Sequence, residues 1–66
     1  MNDLDRIDYA ILAALQGNGR IAMSKLAERV NLSETPCARR LRRLENEGYI
    51  EGYRAILSRK ALGLGV

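Results

Sequence analysis

Four arginines crowd five positions of this chain: Arg39, Arg40, Arg42 and Arg43. On a helix each residue turns about 100° from the last, so Thr35, Arg39, Arg42 and Asn46 share one face, flanked by Ala38 and Arg43. Cys37, Leu41 and Leu44 share the opposite face, which must turn inward. The outer face is therefore cationic, with small or hydroxylated residues near its start. Its chemistry is that of polyanion recognition: an arginine fork grips guanine O6 and N7, polar groups reach base edges in a major groove, and the free N–H groups at a helix start suit phosphate. The plain alternative is a solvated face, with Arg43 and Glu47 paired at i,i+4 only to support the helix. Glu45 and Glu47 also weaken the basic field of its second half. Arg40 lies at the margin of the buried stripe. Its stem is expected to pack and its guanidinium to pair with a carboxylate, one on the first helix being the candidate.

Other chemistries find no residues to carry them. The 66 residues contain no His and one Cys, so a His-based catalytic pair, a Cys/His zinc site and an internal disulfide are all excluded. Cys37 reads as a small buried residue, and a lone thiol fits a reducing cytoplasm. Asp3, Asp5 and Asp8 suit the start of a helix better than a metal cage. Gly17-Asn18-Gly19 is too short for a phosphate-cradling loop and lacks the following Lys-Ser/Thr. Tyr9, Tyr49 and Tyr53 are too few for a base-stacking platform, and Tyr49 and Tyr53 are expected to pack. The expectation is a non-enzymatic chain with no catalytic residue, cofactor or metal. A net charge of +3 is mildly basic and adds little by itself. No apolar run nears the roughly 18 residues of a membrane helix, and the acidic start does not look like a signal peptide.

The elements that hold the arginine face follow from periodicity. Leu4, Ile7, Ile11, Leu12 and Leu15 predict a first helix over about 4–16, capped by Asp3 and ended by left-handed residues in Gly17-Asn18-Gly19. Met23, Leu26, Ala27 and Val30 predict a short second helix over about 23–30, with Ile21 buried beside it. Asn31 is expected to be left-handed, Leu32 an apolar plug and Ser33 the N-cap of a third helix over about 34–47, with Pro36 in its first turn. Gly48 stops that helix. Tyr49 to Leu57 is rich in aromatic and β-branched residues and predicts a strand, weakened at Gly52. Ser58 caps one more turn through Leu62, before Gly63 and Gly65 break regularity.

The second and third helices are thus joined by the tight turn Asn31-Leu32-Ser33. Ala27 is small where they would cross, and Leu26, Val30, Leu32, Cys37 and Leu41 fall where a helix-turn-helix needs its shared core. That unit favours the nucleic-acid reading over the solvated face.

The wider pattern resembles a known family. It runs Leu4-Asp5-Arg6-Ile7-Asp8, Ile11-Leu12, Leu15, Gly19-Arg20-Ile21, Leu26-Ala27, Val30-Asn31-Leu32-Ser33, Thr35-Pro36-Cys37, Arg40-Leu41, Leu44-Glu45, Gly48-Tyr49-Ile50, Gly52-Tyr53 and Ala55. This is similar to the DNA-binding domain of the Lrp/AsnC transcriptional regulators, with Asn31 where that family most often has Gly. The resemblance implies a mainly α, three-helix, winged-helix-like helix-turn-helix domain followed by a short β-strand. It implies that 34–47 is the recognition helix, that Ser33, Thr35, Ala38, Arg39 and Arg42 face double-stranded DNA, and that Arg43 contacts phosphate. It also implies a homodimer or larger assembly, joined through the strand.

Residues 1–48 are then expected to form the reading domain, and 49–66 a strand and hinge leading to an effector-binding domain absent from this sequence. The chain itself is expected to take no small-molecule effector, to work in the cytoplasm and to avoid membranes. A rival expectation is a short interaction module that pairs through 49–57 with a full-length regulator and poisons its assembly.

Overall fold

The computed structural model describes residues 3–63. These residues contain four helices: α1 Arg6–Gly17, α2 Met23–Arg29, α3 Glu34–Asn46 and α4 Arg59–Leu62. The first three pack around one core of Ile11, Ala14, Leu26, Ala27, Val30, Cys37 and Leu44, with Leu4, Ile7, Leu15, Ile21, Leu32, Leu41 and Ile50 around it. The expected stripe on α1, the small Ala27 and the inward face of α3 all serve this core.

α1 begins later than its apolar pattern suggested, because Asp5 rather than Asp3 is its cap. The Asp5 carboxylate accepts from the Asp8 N–H at 2.9 Å, and the Asp8 carboxylate accepts from the Asp5 N–H at 3.2 Å. This reciprocal pair satisfies two donors that the helix start leaves over. Its other end also departs from expectation. Asn18 is extended, with φ −156°, and no left-handed residue is used. The Asn18 side-chain oxygen accepts from the Arg20 N–H at 3.0 Å and its carbonyl from the Ile21 N–H at 3.2 Å. An Asx turn thus reverses the chain where a left-handed cap was expected.

α2 and α3 end alike. Asn31 at φ +60° and Gly48 at φ +85° are left-handed, as expected. After α2, the Leu32 N–H donates to the Ala27 carbonyl and the Asn31 N–H to Glu28; after α3, Tyr49 donates to Leu44 and Gly48 to Glu45. Both are Schellman closures, which pair the last carbonyls and turn the chain sharply. Ser33 holds the N-cap position of α3, but its hydroxyl makes no capping bond.

The expected strand is not found: the described residues contain none. Residues 51–58 run without regular structure, and Ile56 is 98% exposed. A strand needs a neighbour to receive its N–H and C=O groups, and no strand partner for this segment occurs among the described residues. The single turn of α4 does form, with the Ser58 hydroxyl accepting from the Ala61 N–H at 3.0 Å. The expected break at Gly65 lies outside the described residues.

Cys37 is fully buried, and burial, with Glu34 as a second cause, pushes its thiol pKa up. Cys37→Ser is expected to destabilise the fold by about 1–3 kcal/mol, towards the lower end if the hydroxyl bonds back to the Ser33 carbonyl. In a domain this small each kcal/mol moves the Tm by about 4–8 °C. An unchanged melting temperature would contradict the inward placement.

Candidate nucleic-acid interface

The α2–turn–α3 unit presents α3 to solvent along one side. Ser33, Thr35, Arg39, Arg42 and Asn46 are exposed, and Ala38 is half-buried between them. On the other side Cys37 and Leu44 are fully buried. Among the described residues Arg39 and Arg42 make no ion pair. Their guanidinium groups are charged and available.

Arg40 and Arg43 are committed inward. Arg40 Nη1 donates to both Asp5 carboxylate oxygens at 2.8 Å and to Asp8 Oδ1 at 3.1 Å. Arg43 Nη1 reaches Asp8 Oδ2 at 3.4 Å, and its Nε reaches Glu47 Oε2 at 3.3 Å. The structural role expected for Arg40 is therefore met on α1. Of the six candidate contact residues, five lie along the open side, Ser33, Thr35, Arg39 and Arg42 exposed and Ala38 half-buried, while Arg43, the candidate phosphate contact, already holds two carboxylates.

Asp8 is the residue that sequence reasoning undervalued. It is only 1% exposed and gathers two guanidinium groups as well as closing the helix cap. The signal was present: Leu4, Asp8, Ile11 and Leu15 share the spacing of an inward stripe. Tyr53 was also underrated. Its hydroxyl donates to Glu45 Oε2 at 2.7 Å, tying the segment after α3 back to α3 itself.

The Arg40 hydrogen bond, with the Asp8 backbone N–H second, holds the Asp5 carboxyl well below the usual value of 3.8, down to about 2. Arg40 is raised in turn, first by its bond to Asp5. A carboxyl depressed on folding stabilises fully above its unfolded pKa and loses that contribution as pH falls through its folded pKa. The α1–α3 tie is thus complete above about pH 4 and released towards pH 2. Arg40→Met is expected to be less stable at pH 7 by about 1–3 kcal/mol, since Asp8 is left with fewer donors. It should also lose less melting temperature than wild type between pH 4 and 2. Parallel acid profiles of Tm would contradict the tie.

Among the described residues no helix is long and apolar enough to cross a membrane, and no cluster of three metal-ligating side chains occurs.

A sequence model described as winged helix-turn-helix DNA-binding matches residues 4–51, covering all three core helices and the turn after α3. The chain belongs to this family. Within this winged helix-turn-helix family its relatives are transcriptional regulators. It is 56% identical over 61 residues to the leucine-responsive regulatory protein of Rhizobium meliloti, a match covering 92% of this chain and 39% of that one. A solved transcriptional regulator from Neisseria meningitidis, in complex with L-Met, superposes with a TM-score of 0.90 at 48% identity, covering 94% of this chain and 40% of that one. An AsnC family transcriptional regulator from Agrobacterium tumefaciens gives 0.83 at 39% identity, covering 89% and 39%. The chain spans about two fifths of the length of these relatives. It is a winged helix-turn-helix DNA-binding domain of the Lrp/AsnC type, and this match over the helix-turn-helix does not favour a short interaction module pairing through 49–57 with a full-length regulator.

Proposed function

We propose that this domain reads operator DNA with α3 in the major groove. Ser33, Thr35, Ala38, Arg39 and Arg42 address base edges from the open side of the helix, and Arg43 borders the adjacent phosphates. The observation that carries this reading is the division of the four arginines: Arg40 and Arg43 hold α3 to α1, while Arg39 and Arg42, on the outer face, make no ion pair among the described residues.

Residues 1–48 act as the reader and 49–66 as a hinge. The hinge joins two copies so that paired α3 helices meet half-sites about one helical turn apart. The exposed Tyr53, Ile56 and Leu57 support that assignment, because they offer apolar surface to a second copy. The domain does no catalysis, needs no cofactor or metal and works in the cytoplasm. The domain itself takes no small-molecule effector; the related Neisseria regulator was solved in complex with L-Met.

The test is fluorescence-anisotropy binding to a pool of random duplexes across salt concentrations, followed by sequencing of the bound fraction. Steep salt dependence with an enriched palindrome is the expected result. A salt-sensitive pool without enrichment would reduce the domain to a backbone binder. Absence of binding at low salt would overturn the proposal.

A further inference from the structure

Glu45 is an awkward residue for a DNA-reading helix. It lies three residues after Arg42, the spacing at which oppositely charged side chains on a helix meet. On the helical wheel it stands about 60° from Arg42, at the border of the outer face. A free carboxylate there would draw the Arg42 guanidinium sideways and repel phosphate. Yet Glu45 makes no ion pair with Arg42. Its carboxylate instead receives the Tyr53 hydroxyl at 2.7 Å.

Tyr53 is placed for this by two features of the fold. The Schellman closure at Gly48 turns the chain back along α3, with the Tyr49 and Ile50 N–H groups both donating to the Leu44 carbonyl. The Tyr53 ring then lies beside Gly19, where a Cβ would sit 3.6 Å from its Cδ1. The phenol is thus held between the end of α1 and the last turn of α3. Although about half of the residue stays exposed, partial burial of the phenol first and the bond to Glu45 second push its ionisation up to about 12, so it remains a donor throughout the neutral range.

We infer that Tyr53 is a positioning residue for DNA recognition: by holding the Glu45 carboxylate on the hinge side of α3, it leaves Arg42 free for DNA. The inference rests on the DNA-reading function proposed above and adds a residue outside the helix-turn-helix to it. The Tyr53 hydroxyl acts only through Glu45, while the ring keeps its apolar surface in Tyr53→Phe, so the effect of removing the hydroxyl must vanish when Glu45 is uncharged.

The test is a double-mutant cycle of Tyr53→Phe and Glu45→Gln on the full chain, with duplex affinity and melting temperature measured for each protein. Tyr53→Phe is expected to weaken binding about two- to fivefold, the scale of one helix-surface ion pair and its repulsion of phosphate. Glu45→Gln should bind at least as tightly as wild type. Adding Tyr53→Phe to Glu45→Gln should change affinity no further, even where it lowers the melting temperature. A merely structural tyrosine would weaken binding equally in both backgrounds, and that result would overturn the inference. So would equal affinities of wild type and Tyr53→Phe.

An ultraviolet titration, with Tyr53→Phe subtracted to isolate the Tyr53 phenol, follows the bond without DNA. Glu45→Gln should return that phenol towards 10, and an unmoved titration would overturn the inference by itself. Failure of the DNA-reading function would appear differently, as wild-type protein that binds no duplex while the phenol still responds to Glu45→Gln.

Discussion

An Arg39→Ala/Arg42→Ala double variant is expected to lose at least about thirtyfold in affinity for its selected duplex, with its melting temperature unchanged. Each arginine that reads a base edge contributes about 1–3 kcal/mol, and 1.4 kcal/mol is a factor of ten. The two lie three residues apart on one helix, so their losses need not add strictly. Both are exposed and neither holds an ion pair among the described residues, so the fold loses nothing when they are cut back. The salt dependence should become shallower only to the extent that either arginine also touches phosphate. Arg40→Met, one residue away, should do the reverse: it lowers stability first. Wild-type affinity in the double variant would remove α3 from the interface.

The second large effect concerns the core. Leu44→Ala is expected to cost about 2–5 kcal/mol, the range for emptying a fully buried leucine site. Leu44 has no exposed surface and belongs to the same cluster as Ile11 and Cys37. A domain of this length commands only about 3–10 kcal/mol in total, at the usual 0.05–0.15 kcal/mol per residue. The variant should therefore lose much of its cooperative urea transition at 25 °C. Leu44→Met keeps the volume and should cost under about 1.5 kcal/mol. The contrast also isolates the side chain, since the Leu44 carbonyl that receives Tyr49 and Ile50 is unchanged. A Leu44→Ala protein within about 1 kcal/mol of wild type would mean that α3 is not anchored there.

The helices and the open side of α3 were legible because both depend on a period of 3.6 residues that apolar and charged residues mark directly. The left-handed Asn31 and Gly48 were legible because few residues tolerate that backbone. Gly17-Asn18-Gly19 misled for a related reason: the same residues also make Asx turns, and the contacts of Asn18 decide which is used. The strand expected at 49–57 is not found among the described residues, because β propensity measures fit to a neighbouring strand, and Ile56 is 98% exposed. Asp8 was read by its closeness to a helix start, which hid its place on the inward stripe. The Tyr53–Glu45 bond could not be read at all: it spans eight residues across a reversal at Gly48, and no periodic rule relates its two ends.

The arrangement Arg39-Arg40-Leu41-Arg42-Arg43 places two identical pairs on one helix, and in each pair the second member is tied to α1 while the first is not. With the proposed DNA reading, stability and address are therefore written in alternate letters. Positions 39 and 42 can drift through mutation, and a regulator can acquire new target sites, without passing through an unfolded ancestor. Positions 40 and 43 have no such freedom unless α1 changes with them. Divergence among copies of such a domain should accumulate at the first letter of each pair.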